Sequence, residues 1–301
     1  MSRSHKPTRR QTLKALGACA AVVSPLVRGT GALAVEAGAG TSNAKWLTLP
    51  PTPTLPDAKQ KGVAAINGTD IFYARFGQGP PVLLLHGGLA NSNYWGHQVD
   101  YLARSFTVIV MDTRGHGRSP VTSHAFSYGL FAEDAAALLD FLKIPQISIV
   151  GWSDGAVTGL QLAMTRPHRI SRLFAFGANS SAEGLKADGA RSPIFVRFAG
   201  RCRAEYALLS PHPERWPQLL GGLRAMWRTE PNFSKRDLAS VKIATTISDG
   251  EHDEIIKRNH TEMMSLAIPR ARLVMLPEVS HFAMLQDPGQ FNQALTAFLA
   301  A

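Results

Sequence analysis

The sequence predicts an α/β protein with a mostly parallel central sheet, helices on both of its faces and a helical segment inserted before the last strands. Three observations carry this. Val82-Leu83-Leu84-Leu85, Phe106 to Met111 and Ile147 to Val150 are short, continuous apolar runs, the pattern of strands buried on both faces. They alternate with stretches of helical spacing, which calls for crossover connections and therefore parallel pairing. Residues 180–241 interrupt the alternation with apolar helical clusters and no buried-strand pattern.

Taken in order, the first elements are Gly62 to Ile66 and Ile71 to Phe76, which flank Asn67-Gly68, a hairpin-type turn. Pro80-Pro81 breaks the chain before the run at 82–85. Trp95 to Arg104 reads as a helix, and Phe106 to Met111 as the next strand. A glycine-punctuated loop follows from Asp112 to Ser119. Phe131, Leu138 and Leu142 then share a helical face, with Ala135 between them. After the strand at 147–150, Ala156, Leu160 and Ala163 mark a helix that stops at Arg166-Pro167, and Ile170 to Phe176 is another strand. Past the insert, Ile243 to Ile247 is predicted as strand, Ile255 to Ala267 as helix and Leu273 to Leu276 as the last strand. Asp287-Pro288 is an N-cap and first-turn pair for a final helix whose face is Phe291, Leu295, Phe298 and Leu299.

The composition, 45% hydrophobic and 18% charged over 301 residues, is that of a globular protein with one large domain. Net charge is +10, but residues 1–34 hold six of the 32 basic residues and no acid. Beyond them 26 basic residues face 22 acidic ones, too mild an excess to suggest a nucleic-acid partner. Residues 1–34 themselves read as a secretory signal. Thr8-Arg9-Arg10-Gln11-Thr12-Leu13-Lys14 is a basic leader, Ala15 to Val27 a short apolar run and Ala32-Leu33-Ala34 a small-x-small cleavage site. The paired arginines resemble the bacterial twin-arginine signal, with Thr12 where phenylalanine is commonest. That resemblance implies passage through the twin-arginine translocation machinery to the periplasm or beyond. The apolar run is shorter than the roughly 20 residues a spanning helix needs, so no stable membrane insertion is expected after processing. Residues 35–61, with Pro50-Pro51-Thr52-Pro53, read as an extended linker. Of the two cysteines, Cys19 lies in the signal, so the mature chain has Cys202 alone and cannot form an internal disulfide.

The chemistry centres on Gly151-Trp152-Ser153-Asp154-Gly155, which joins a strand to a helix. Glycines on either side let the chain reverse tightly and expose the serine at a helix N-terminus, where N–H groups favour a developing negative charge. A serine hydroxyl needs a base held by a third group. Two later loops supply candidates: Ser248-Asp249-Gly250-Glu251-His252-Asp253 after one strand, and Val279-Ser280-His281-Phe282 after the last. No histidine pair has metal spacing, so neither metal nor cofactor is expected.

From Gly62 to the C-terminus these features resemble, in order, the α/β-hydrolase superfamily: the opening hairpin, His86-Gly87-Gly88, Asp112 through Ser119, the elbow, Gly250 to Asp253 and Ser280-His281. The resemblance implies a core at 62–179 and 242–301 with a helical lid at 180–241. It implies Ser153 as nucleophile and His281 as base. Asp253, at the family's G-x-x-D position, is the acid, in preference to Asp249, which would cap the turn. The oxyanion hole is formed by the N–H groups of Gly88, Leu89 and Asp154, with His86 bracing the loop. Serine at 153 argues against dehalogenase and epoxide hydrolase, which need a carboxylate nucleophile. The expected substrate is a small ester or lactone, with amides, amino-acid esters, perhydrolysis or ligand binding without catalysis as alternatives on the same machinery. The elbow and Gly177-Ala178-Asn179 are similar to the biphenyl hydrolase-like, valacyclovir-hydrolysing proteins, in which the acid after the nucleophile receives a substrate amine. Asp154 therefore either recognises an amine or supplies only its N–H. Asp154, Trp152 and Trp227 are the expected substrate contacts, among lid aromatics that include Phe195, Phe198 and Trp216.

Overall fold

The computed structural model describes residues 44–300. The twin-arginine leader expected at 1–34 and the first part of the expected linker lie outside the described residues. The elements are β1 (Gln60–Ile66), β2 (Thr69–Gly77), β3 (Pro81–Leu85), α1 (Gly96–Leu102), β4 (Thr107–Met111), α2 (Tyr128–Phe141), β5 (Ile147–Trp152), α3 (Asp154–Thr165) and β6 (Ile170–Phe176). The insert carries α4 (Pro193–Leu209), α5 (Trp216–Met226) and α6 (Lys235–Ser240). It is followed by β7 (Ala244–Gly250), α7 (Arg258–Ala267), β8 (Ala271–Leu276), α8 (Ala283–Gln286) and α9 (Pro288–Ala300).

The eight strands form one sheet in the order β1-β2-β4-β3-β5-β6-β7-β8. β1–β2 and β2–β4 pair antiparallel, and the other neighbours pair parallel. The hairpin turns at Asn67-Gly68, both in the left-handed region. The apolar runs at 82–85, 107–111 and 147–150 lie in the central strands, and Val82, Leu83, Val110 and Ile149 are wholly buried. Burial on both faces removes any need for a polar alternate residue, which is why these runs are continuous.

Two boundaries depart from the sequence reading. The helix expected from Ile255 starts at Arg258, because the backbone before it pairs with the 184–186 segment instead: Ile255 O accepts from Lys186 N at 2.8 Å and Lys257 N donates to Gly184 O at 2.9 Å. The helix expected from Trp95 is α1, which starts one residue later and is entered through a 3-10 turn at Ser92–Trp95. At the other end, Asp287 caps α9 as expected, its Oδ1 accepting the Gln290 N–H at 3.0 Å.

Residues 48–59, within the stretch expected as a linker, form no helix or strand but are tied down by side chains. Arg201 on α4 donates to Pro50 O, Gln286 donates to Thr48 O, and the Thr52 hydroxyl bonds Glu205. Trp46 stacks on His252 with ring centroids 3.9 Å apart. This strap therefore touches both the insert and the loops beyond β7 and β8.

Candidate active site

The chain leaves β5 at Trp152 and enters α3 at Asp154 with one residue between. Ser153 makes that turn at φ 54° and ψ −121°, a conformation L-residues seldom adopt and one found where surrounding structure enforces it. Its N–H donates to Phe176 O on β6 at 2.8 Å, and its carbonyl accepts from Ala156 and Val157. Both glycines of the pentapeptide are required by close approach: a Cβ on Gly151 would stand 2.5 Å from Ala156 Cα, and one on Gly155 would stand 2.5 Å from the Leu85 carbonyl carbon.

Across the same rim of the sheet, the loop after β7 presents Asp253 to the loop after β8. His281 Nδ1 lies 2.6 Å from Asp253 Oδ2, with both side chains 3% exposed. The other carboxylate oxygen accepts from Ile255 N at 2.6 Å and Ile256 N at 2.7 Å. Three donors thus fix the acid. Asp249, the rival acid, lies beside Asp253 and is held by its own loop: one oxygen accepts from Gly250 N and the other from the Thr261 hydroxyl, each at 2.8 Å, and burial next to Asp253 raises its pKa well above the usual carboxylate range. Behind the imidazole the chain must be bare, since a Cβ on Gly177 would lie 2.7 Å from His281 Cε1. Sequence reading had noted Gly177 only as part of a resemblance.

Burial alone pulls the His281 imidazole down, but the charge and hydrogen bond of Asp253, with Glu254 and Asp154 behind, outweigh it and leave the ring above its ordinary pKa. For Asp253 the balance is reversed. Burial pushes its carboxyl up, yet the His281 cation and the surrounding donors bring it below the usual carboxylate range. The proton therefore rests on the ring, and Nε2 is the nitrogen left for chemistry.

A cavity of about 540 Å³ opens at this rim. Ser153, His281, Asp154, Trp152, Trp227, Gly88 and Leu89 all line it. Asp253 lies behind His281. The structure thus brings Ser153 and His281 to one cavity, where the serine hydroxyl has no hydrogen-bond partner among the described residues. Phe195 and Phe198 of α4 form part of the wall, whereas Trp216 packs at a tilt against Tyr206 inside the insert, with ring centroids 5.5 Å apart. A separate, more open depression of about 680 Å³ near His97, Asp100 and Tyr101 contains none of these groups.

The loop after β3 passes directly over the elbow. A Cβ on Gly87 would stand 3.1 Å from Ser153 Cβ, and one on Gly88 would stand 2.6 Å from Trp227 Cζ2 and collide with the Asp154 carboxylate. Leu89 takes a left-handed φ of 66°. Among the described residues, the N–H groups of Gly88, Leu89 and Asp154, all lining the cavity, donate no backbone hydrogen bond, which leaves all three without a backbone acceptor. His86 anchors the loop from below: Nδ1 bonds Gly87 O at 2.8 Å and Nε2 accepts from Thr113 N at 3.0 Å. Burial lowers its pKa, so the ring stays neutral in one tautomer.

Asp154 has a second set of contacts. Its carboxylate accepts from the Tyr128 hydroxyl at 2.8 Å and from Trp227 Nε1 at 2.9 Å. Both donors are neutral, and no cation pairs with this carboxylate among the described residues. Burial raises its pKa, although the two hydrogen bonds oppose the shift. Trp227 was anticipated here as a substrate contact and is also a carboxylate donor. Tyr128 was missed, because nothing in the sequence marks a tyrosine at the start of a helix 26 residues before its partner.

Two groups of described residues bring three possible ligand atoms within 4.8 Å of one another: buried Asp249, Asp253 and His281, and surface Glu251, His252 and Glu278. The first group is engaged with itself and with backbone N–H groups, as described above.

Comparison with known proteins agrees with this architecture. A family model described as alpha/beta hydrolase fold matches residues 80–210. The mouse protein named serine hydrolase BPHL is 28% identical over 268 residues, covering 83% of this chain and 89% of that protein. A non-heme haloperoxidase of Rhodococcus erythropolis is 28% identical, over 79% of this chain and 98% of its own. Among solved structures, one titled Est816 as an N-acyl homoserine lactone degrading enzyme superposes with a TM-score of 0.63. It is 26% identical and covers 79% of this chain and 100% of its own.

Proposed function

From the α/β-hydrolase fold that this chain has, and from the cavity that Ser153 and His281 share within it, we propose an exported serine hydrolase that cleaves a small carboxylic ester or lactone through an acyl-enzyme. The carrying observation is the strained turn at Ser153 opening into the same cavity as an imidazole whose far nitrogen is held by Asp253. Strain of this kind persists where surrounding packing enforces it, and here it serves to expose the hydroxyl.

In this reading, Ser153 Oγ attacks the carbonyl carbon and its proton passes to His281 Nε2. The oxyanion is received by N–H groups of the Gly88–Leu89 turn and of Asp154, each worth about 10²–10³ in turnover. Collapse of the tetrahedral intermediate expels the alcohol, which takes the proton back from Nε2. Water then attacks the acyl-enzyme by the same route, releasing the acid and restoring the hydroxyl. Asp253 holds the ring and stabilises its cationic form without itself taking the proton. A fluorophosphonate probe should label the wild-type protein stoichiometrically and leave Ser153→Ala unlabelled. An unlabelled wild type would favour the ligand-binding alternative, and peroxide-dependent oxidation would favour the perhydrolase one.

A second reading concerns the acyl group, and the neutral donors around Asp154 favour it. A buried carboxylate in the cavity wall that is held by two neutral donors and forms no ion pair among the described residues is suited to a substrate amine, so amino-acid esters are the substrates this wall would select. Export rests on the paired Arg9 and Arg10. Replacing both by lysine should leave unprocessed protein in the cytoplasm, as seen by fractionation.

A further inference from the structure

Beyond residue 34, positive charge exceeds negative by four, and all of that excess lies between residues 180 and 241, with ten Lys and Arg against six Asp and Glu. The rest of the chain balances. Within the insert, the charges are also sorted by direction. On α4, the outward stripe includes Val196, Arg197, Gly200, Arg203, Ala207 and Leu208, spaced by three or four residues so that they share one face. On α5, Gly221, Arg224 and Ala225 face outward, with Arg228 in the turn beyond. Neither stripe contains an acid.

The acids of these segments are used elsewhere. Glu205 turns in to Thr52 and Asn91, and Glu230 accepts the Tyr128 N–H. Arg191, Arg201 and Arg215 stand near carboxylates, whereas Arg197, Arg203, Arg224 and Arg228 form no ion pair among the described residues. Large aliphatic groups share the surface: Val196 is 57% exposed and Leu208 86%, and Leu47, 64% exposed, carries the carbonyl that Arg197 bonds. Val196 and Arg224 also line the cavity around Ser153, so this face surrounds its mouth.

We propose that the outer face of α4 and α5 docks on an anionic lipid surface, with the arginines meeting headgroup phosphates and the aliphatic side chains entering the interface. Charge complementarity selects the sign of the partner. The interspersed Val196, Leu208 and Leu47 select lipid over a nucleic acid, which would offer them nothing. No helix of the described residues is long and apolar enough to cross a membrane, so the contact is peripheral. Docked this way, the cavity mouth faces the bilayer and draws on hydrophobic esters dissolved there.

The test uses the folded protein and vesicles of phosphatidylcholine alone or with phosphatidylglycerol. Sedimentation should show binding to the anionic vesicles that weakens with salt, and little to the neutral ones. Arg203→Glu/Arg228→Glu should reduce partitioning by at least about tenfold. Leu208→Asp should also weaken it, while hydrolysis of a soluble ester by all three proteins stays unchanged. No binding to anionic vesicles at low salt would overturn the proposal. So would equal binding to neutral vesicles, or equal retention of wild type and Leu208→Asp, which would leave only nonspecific polycation behaviour.

Discussion

His281 Nδ1 and Asp253 Oδ2 stand 2.6 Å apart, and neither side chain has more than 3% of its surface exposed. A short, dry bond of this kind fixes the ring's orientation and leaves Nε2 as its basic atom. Asp253→Asn should therefore lower kcat by about 10⁴ with little change in fold, since the amide favours the wrong tautomer. Steady-state kinetics beside a circular-dichroism melt would check this. A loss under tenfold would mean that another group orients the ring.

The same pair sets the pH response. The proposed reaction needs neutral His281, so kcat/KM should rise with pH through a midpoint above about 6.5, the ordinary histidine value. Removing the carboxylate charge should move the residual profile of Asp253→Asn to lower pH. For stability the sign is opposite. Because the folded pKa is raised, this histidine's contribution is complete below its unfolded pKa and is lost as pH rises through the folded one. Urea midpoints at several pH values for wild type and His281→Gln would isolate that contribution.

Gly88 separates packing from chemistry. A methyl group there would meet Trp227 Cζ2 at 2.6 Å and the Asp154 carboxylate, so the loop would have to retreat from Ser153. Gly88→Ala should cost about 10²-fold in kcat, the worth of one oxyanion donor, with labelling of Ser153 slowed in parallel. Unchanged turnover would show that this loop does not stabilise the reacting oxygen.

How much of this could be read from the sequence follows from range. The central strands and the elbow were legible because burial on both faces leaves an unbroken apolar run, and a tight turn leaves glycines. The order of Ser153, Asp253 and His281 was legible through the loops that follow predicted strands. The backbone pairing of Ile255 and Lys257 with Lys186 and Gly184, which delays α7, was not, since it joins segments far apart in the chain while an apolar helical pattern extends through Ile255 and Ile256. Nor was the strap at 48–59, which is held by the Thr48 and Pro50 carbonyls and the single Thr52 hydroxyl and so leaves no side-chain periodicity. The contacts of Asp154 with Tyr128 and Trp227 span 26 and 73 residues and carry no local signature.

Away from the cavity, Arg114 and Asp134 form a bidentate pair with no exposed side-chain surface. Nε and Nη2 each reach a carboxylate oxygen at 2.7 Å, the Asn67 side-chain amide donates to Asp134, and the Asn67 backbone carbonyl and the Thr122 hydroxyl accept from Arg114. This ties the β1–β2 turn to the loop after β4 and to α2. Asp134→Ala would strand a buried guanidinium and should destabilise the protein by about 3–5 kcal/mol. Urea denaturation would show it as a lower midpoint at constant slope, with the labelling of Ser153 intact below the transition.

Asp154 decides the substrate question. Its N–H and its carboxylate belong to different parts of the proposed reaction, so Asp154→Asn keeps the first and removes the charge of the second. The amide oxygen can still accept from Tyr128 or Trp227, which limits the structural disturbance. If the carboxylate receives a substrate ammonium, kcat/KM for amino-acid esters should fall by about 10²-fold or more, while neutral esters of similar size lose less than about threefold. A charge-assisted hydrogen bond in a dry wall accounts for a difference of that size. The loss should appear mainly in KM if the ammonium is gripped equally before and during acyl transfer, and in kcat if it is gripped only as the carbonyl is attacked. Equal losses on both ester classes would assign the carboxylate to holding Trp227 and Tyr128 in place and leave amine selection without support.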